Sequence, residues 1–301
     1  MALGYDQPLY VLAFDHRGSF ERDLFQAKAP VTSEVHAGIE DAKRVIGEAF
    51  AQAVDRGAPK SAGGILTDEE YGSAVVDMAK RNGFVFAMPV EKSGQAEFDF
   101  EYGEDFGAHI ERFDPAFAKV LVRYNPEGDA DLNARQTKRL KRLSDWLHER
   151  DRKFLYELLV PSTDEQLARC GGDQARYDRE IRPDLVVEVV RASQAAGVEP
   201  DIWKIEGLES RDDCERVAQQ ARTGKDRTGV VCVVLGRGAD EHKVLFWLKT
   251  AAGVPGFNGF AVGRTLWLEA LQSMLAGSSA RKDTVRVIAD RYLRMIEGYA
   301  S

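Results

Sequence analysis

Cysteine is scarce in this chain: Cys170, Cys214 and Cys232 are the only three in 301 residues. They are far apart, odd in number and without CxxC spacing, which argues against a disulfide framework or a cysteine-built zinc cluster. Three reduced thiols in a cytoplasmic protein are the expectation. Long apolar runs are missing as well. No segment approaches the roughly 20 apolar residues that cross a bilayer, and the opening "MALGYDQPLYVLAFDHRG" lacks a basic leader region, so it reads as a first strand. Positive charge is in deficit: 41 Lys and Arg stand against 49 Asp and Glu, a net charge of -8. That disfavours non-specific binding to nucleic acid or to an anionic membrane. There is no low-complexity segment and no composition break, so residues 1–301 read as a single domain.

What is present is a regular alternation. Apolar, β-rich runs such as "LYVLAFDH" (9–16), "GGILTDE" (63–69), "FVFAMPVE" (84–91) and "FAKVLVRYN" (117–125) are each followed by a helical pattern or a longer connection. The series continues with "KFLYELLVP" (153–161), "DIWKIEG" (201–207), "GVVCVVLG" (229–236) and "GFAVGR" (259–264). Helical patterns cover 33–57, 71–83, 131–151, a stretch near 178–196, a segment after Ser210, 240–252, 265–277 and 281–299. Strands separated by amphipathic segments pair in parallel through crossover helices. Near-continuous apolar strands suit a sheet covered by helices. Eight such units in this length predict a (β/α)8 barrel. A doubly wound open sheet fits less well, because the first strand ends in "FDHRGSF", with one glycine where a phosphate-binding loop has several. The long stretch between the third and fourth strands is poorly periodic and reads as a loop or lid over the site.

Within barrel strands, side chains alternate between the interior and the helix layer. In "DIWKIEG" this puts Ile202, Lys204 and Glu206 on one face and Trp203 and Ile205 on the other. Lys204 then lies near the C-terminal end of the barrel, where barrel active sites form. One reading is a Lys–Glu ion pair that holds the mouth. The other is a lysine whose pKa burial lowers, giving an amine able to form a Schiff base. In the fifth strand Glu157 is one carboxylate among apolar residues, costly unless paired or used. The first strand delivers Asp15, His16 and Arg17, and the fourth places Lys119 and Arg123 on one face. Lys204, Lys119 and Arg123 with Glu157, Glu206 and Asp15, a balanced set at strand positions, suit proton transfer and iminium chemistry better than a simple anion clamp.

The last two strands end in Gly-Arg before a helix. Gly236, Arg237, Gly238, Gly263 and Arg264 are therefore candidates for a phosphate site, since the loops after strands 7 and 8 of barrels often hold one. His36, His109, His148 and His242 show no metal-ligand spacing and are expected on solvated helix faces or loops. Asp68, Glu69 and Glu70 are expected to be hydrated at the end of the second strand, with a magnesium site there the lesser alternative. The charge-rich helix around 137–153 is expected to present a solvated face.

Four segments, "LAFDHRGSF", "LYELLVP", "DIWKIEG" and "GFAVGRTLW", resemble the class I aldolases related to tagatose-1,6-bisphosphate aldolase and sulfofructose-phosphate aldolase. The likeness extends to the domain often fused behind 5-dehydro-2-deoxygluconokinase in bacterial inositol catabolism, associated with 2-deoxy-5-keto-gluconate 6-phosphate aldolase. It runs from the first strand to the eighth. The resemblance implies a Schiff base on Lys204, proton transfer through Glu157, Lys119 as a further site residue, and phosphate held by Gly263 and Arg264. It implies no metal and no other cofactor. Two positions depart from the pattern: His16 stands where a glutamine follows the aspartate, and Gly236, beside Arg237, stands where the seventh-strand loop has a serine. Both alter substrate contacts and leave the amine chemistry in place. The implied substrate is a phosphorylated keto sugar or keto-sugar acid, and Arg17, Arg123 and Arg237 would suit a second anionic group. Lys119 and Arg123 both remain candidates for the second cation. A functional link to a sugar kinase and a homo-oligomeric state are further expectations. A catalytically silent barrel that senses a sugar phosphate is the alternative of a different class.

Overall fold

The computed structural model describes residues 3–300. Eight strands appear in chain order: β1 (Leu9–Ala13), β2 (Gly63–Leu66), β3 (Val85–Pro89), β4 (Phe117–Arg123), β5 (Lys153–Leu159), β6 (Ile202–Glu206), β7 (Val231–Leu235) and β8 (Phe257–Val262). Each pairs in parallel with the next, and β8 pairs with β1, so the sheet closes into the expected barrel. The helices are α1 (Ser33–Asp55), α2 (Glu69–Asn82), α3 (Phe106–Phe113), α4 (Ala130–His148), α5 (Asp164–Arg169), α6 (Gln174–Glu180), α7 (Arg182–Ala195), α8 (Arg211–Ala221), α9 (Glu241–Ala251), α10 (Arg264–Leu275) and α11 (Arg281–Ala300).

The alternation of side chains separates two apolar layers. Leu9, Val11, Phe117, Leu155, Ile202 and Val233 belong to the cluster inside the barrel. Tyr10, Leu12, Trp203 and Ile205 face the helices. Helix starts follow their sequence signals. Thr32, Asp68, Asp129, Ser210 and Asp240 each accept a backbone N–H of the first turn that has no partner within its own helix.

Three differences from the sequence pattern have physical causes. The helix expected near 178–196 is the end of α6 followed by α7, and a further helix, α5, precedes them. Thr163 and Gln166 form a reciprocal capping box that starts α5, and Pro183 lies in the first turn of α7. The stretch between β3 and β4 is not all loop, since it contains α3. β8 begins two residues before the expected start. Its register against β7 shifts between Cys232 and Val234, and the extra residue is absorbed near Gly259, at φ +139°. A Cβ at Gly259 would stand 2.0 Å from the Leu9 carbonyl oxygen, so only glycine lets β8 approach β1 here.

Candidate active site

The register of the sheet sets the centre of the site. Glu157 of β5 is the direct partner of Lys204 of β6. Both point inward at the C-terminal end, and Lys204 Nζ lies 2.9 Å from Glu157 Oε2. Lys204 thus pairs with the strand-5 glutamate and not with Glu206, two residues along its own strand.

Lys119 of β4 stands at the middle of a cage. Its ammonium donates to Asp15 Oδ2 at 2.8 Å and to Glu91 Oε1 at 2.7 Å, and it lies 3.0 Å from Glu157 Oε2. Burial opposes the charge on Lys119, but Asp15, Glu157 and Glu91 outweigh it and push the amine well above its ordinary range. Lys119 is therefore held as an ammonium, while Lys204 touches one carboxylate. Burial pushes Asp15 and Glu157 up, yet the nearby cations outweigh it, and both end below the usual carboxylate range. Glu91 goes the other way: burial, with the charge of Asp15 added, overcomes Lys119 and Arg17 and raises it. Its Oε2 is buried with no hydrogen-bond partner among the described residues.

Above this cluster a cavity of about 160 Å³ opens between the ends of β1, β3 and β4. Asp15, Glu91, Lys119 and Glu157 line it, with Arg22 and Arg123 among the other lining residues. Lys204 is 2 % exposed and lies just beyond the lining, against Glu157. Lys119, not Arg123, is the cation beside the carboxylates. Arg123 sits further along β4 and donates to the Gln95 carbonyl at 2.8 Å. His16 lies 3.9 Å from Asp15 Oδ1 and edge-on to Trp267. Its imidazole keeps an exposed edge, but burial among cations, Arg264 included, pulls it down to about 4 despite Asp15.

The candidate anion site lies across the mouth. Gly236 follows β7, Gly263 precedes α10, and Arg264 opens α10. Arg264 donates weakly, at 3.4 Å, to the Arg237 carbonyl and pairs with no carboxylate among the described residues. Gly238 has φ +73°, and a Cβ there would lie 2.8 Å from the Arg264 guanidinium. Arg237 is differently engaged: its side chain meets Asp178 at 2.6 Å and Glu206 at 3.2 Å. Arg17 is held by the Glu91 carbonyl at 2.6 Å and the Glu101 carboxylate at 2.9 Å. Glu206 also accepts from the Val160 amide, so it braces β5 and the loop after β7 and does not enter the Lys119 cage.

Two expectations need correction. Asp68 is fully buried, ion-paired with Lys43 and capping α2, because the N-terminus of α2 supplies the N–H donor that water would have supplied. His109 is buried, 3.0 Å from Glu69 and tilted against the ring of Tyr102, because α3 folds this stretch onto the start of α2. Glu91 is the site residue that the sequence pattern did not single out. The signal was there: Val85 and Ala87 belong to or pack on the interior cluster, and the same alternation carried on through Pro89 reaches Glu91. Asp178 and Arg182, which support the mouth through Arg237 and the Glu206 and Gly207 carbonyls, carry no such signal. Among the described residues no group of three His, Cys, Asp or Glu side chains is arranged to hold a metal ion, and no helix is long and apolar enough to cross a membrane.

Comparison with known proteins agrees with the barrel. The family model described as "Uncharacterized protein conserved in bacteria (DUF2090)" matches residues 4–301. Among solved structures, fructose-bisphosphate aldolase from Plasmodium falciparum is similar with a TM-score of 0.65 and 14% identity, over 98% of this chain and 91% of that one. Cgl0159 from Corynebacterium glutamicum is similar with a TM-score of 0.56 and 18% identity, over 96% of this chain and 88% of the other. At these identities the likeness is one of fold. No curated protein matches the sequence.

Proposed function

We propose that this chain, which belongs to the DUF2090 family, is a class I aldolase that cleaves a phosphorylated keto sugar or keto-sugar acid through a Schiff base on Lys204. The observation that carries the reading is the buried contact of Lys204 Nζ with Glu157 Oε2 at 2.9 Å, beside a second lysine caged by three carboxylates. Two lysines in one cluster have different roles when their surroundings differ. Lys119, surrounded by carboxylates, supplies fixed positive charge. Lys204 is the amine available to attack.

In this reading Lys204 gives a proton to Glu157, turns on its flexible stem, and adds its freed nitrogen to the substrate ketone. Glu157 takes and returns the protons needed for the carbinolamine to lose water and become an iminium. Breaking the adjacent C–C bond sends its electron pair into the iminium, giving an enamine and releasing an aldehyde. The hydroxyl that becomes that aldehyde gives its proton to a carboxylate of the cage, with Glu157 and Asp15 the nearest bases. Protonation of the enamine and hydrolysis then free the ketone product and Lys204. Glu91 accepts from Lys119 and helps to hold its ammonium in place. Arg264 and the first-turn N–H groups of α10 hold the phosphate, as helix N-termini do, and Arg123 faces the other end of the substrate. Following the sequence resemblance, the substrate is 2-deoxy-5-keto-gluconate 6-phosphate and the products are dihydroxyacetone phosphate and malonate semialdehyde.

The test is borohydride trapping. Incubation with dihydroxyacetone phosphate, reduction and peptide mass spectrometry should place the adduct on Lys204 and lose it in Lys204→Ala. Absence of an adduct in a protein that binds the phosphate would sink the Schiff-base reading and leave the sugar-phosphate sensor. Product analysis with 2-deoxy-5-keto-gluconate 6-phosphate, tagatose 1,6-bisphosphate and 6-deoxy-6-sulfofructose 1-phosphate separates the substrates.

A further inference from the structure

Arg17 is 6 % exposed, and its guanidinium spans two parts of a single hairpin. One terminal nitrogen donates to the Glu91 backbone carbonyl and the other to the Glu101 carboxylate. Residues 90–101 form that hairpin: Glu91 pairs with Phe100 in an antiparallel bridge, Lys92 N–H donates to the Asp99 carbonyl, and Glu101 N–H donates to the Val90 carbonyl. The turn, with Ser93, Gly94 and Gln95, lines the cavity. At the stem of the same hairpin the Glu91 side chain reaches inward to Lys119.

We propose that Arg17 is a positioning residue: it straps the end of β1 to the stem of this hairpin and so holds the Glu91 carboxyl against Lys119, in place of binding a substrate anion. The geometry favours the strap. The two nitrogens that would grip an anion already have acceptors, and one of these is a carboxylate that would repel a second anion beside it. A guanidinium makes both bonds at once because its donors form a rigid planar fork. A lysine ammonium carries a similar charge but lacks the fork. The outer part of the hairpin is held from α4, where Arg135 and Arg139 meet Glu97 and Gln136 meets the Phe98 amide, and Val90 N–H ties the stem to the Lys119 carbonyl; Arg17 is the side chain that ties the stem to the end of β1. Arg17 therefore fixes the Glu91 backbone from the β1 side, while Lys119 holds its carboxylate from β4. The kinetic consequence rests on the Schiff-base reading; the structural one does not.

The test compares Arg17→Lys and Glu101→Gln with the unaltered protein in two measurements. The first is hydrogen exchange of the backbone amides of Lys92 and Glu101. Both should exchange faster in Arg17→Lys, and to a smaller degree in Glu101→Gln, which keeps the bond to the Glu91 carbonyl. The second is steady-state cleavage of the sugar phosphate that proves to be the substrate. Arg17→Lys should lower kcat by about 10- to 100-fold, the scale of a misplaced catalytic group, with KM little changed. Glu101→Gln, which does not line the cavity, should lower kcat in the same direction. A rise in KM with kcat intact in Arg17→Lys would overturn the proposal and return Arg17 to the substrate. Unchanged amide exchange in Arg17→Lys would overturn it as well. If the unaltered protein cleaves no sugar phosphate, the aldolase reading fails while the exchange result still decides the strap.

Discussion

At the residue scale the site depends on how unlike two similar groups become. Lys119 and Lys204 are both buried lysines, yet one meets three carboxylates and the other meets one. The carboxylates diverge too, with Glu157 pulled down by two ammonium groups and Glu91 pushed up by burial. Glu157→Gln keeps the shape of the side chain and removes the base. It should lower kcat by roughly 10²- to 10⁴-fold, the usual worth of a general acid–base group, while Lys204 still forms a trappable adduct slowly. A borohydride time course beside steady-state rates would measure both. His16 supplies a separate prediction about stability. Its pKa falls from 6.5 in the unfolded chain to about 4 in the fold. Between those values the unfolded chain binds a proton that the folded protein refuses, so stability declines as pH drops from 6.5 towards 4. Because the ring keeps an exposed edge, the loss should be on the order of 1–2 kcal/mol, less than the full shift implies. Urea unfolding across this window should show the decline, and His16→Gln should flatten that part of the profile. An unchanged profile in the variant would refute the assignment.

At the element scale, the ends of β7 and β8 matter more than their lengths. Each strand stops at a glycine, and the following residues bring backbone N–H groups and Arg264 to the mouth. Arg264 meets no carboxylate among the described residues; Arg237 is bound to Asp178 and Glu206 and behaves as a brace. The two arginines should therefore respond differently to substitution. Arg264→Ala should raise KM for a phosphorylated substrate by about 10- to 100-fold, the loss of one charge-assisted contact worth roughly 1.5–3 kcal/mol, and leave the melting temperature nearly unchanged. Arg237→Ala leaves Asp178 and Glu206 with Arg182 alone as a cationic neighbour and should lower the melting temperature. Thermal melts beside KM values would test both, and the reverse pattern would exchange the two roles. The Gly-Arg repeats mark both arginines alike in the sequence. Only the neighbouring carboxylates, contributed by β6 and α6, tell them apart.

At the scale of the whole molecule, closure of the ring joins the chain's two ends. β1 pairs with β8, and α11 packs beside α1. Tyr292 of α11 is fully buried and donates its hydroxyl to the Tyr10 carbonyl of β1 at 2.6 Å. Tyr292→Phe should cost about 1 kcal/mol in urea unfolding, the net worth of one such bond plus part of the carbonyl left unpaired. Activity should be untouched, since Tyr10 lies on the helix-facing side of the barrel. A loss of kcat without a loss of stability would show coupling between closure and site that the geometry does not contain. The sequence by itself determined the eight-fold alternation, because strand and helix periods are local properties of the chain. It also determined that Lys204 points inward and that Lys119 and Arg123 share one face of their strand, because strand alternation follows from the backbone alone. The tertiary structure decided which inward groups meet. Register and stagger between strands bring Lys119 to Asp15, Glu91 and Glu157, pair Lys204 with Glu157 in place of Glu206, and fold α3 so that His109 is buried. These depend on contacts between residues far apart in the chain, and no local pattern encodes the distance between two strands' side chains.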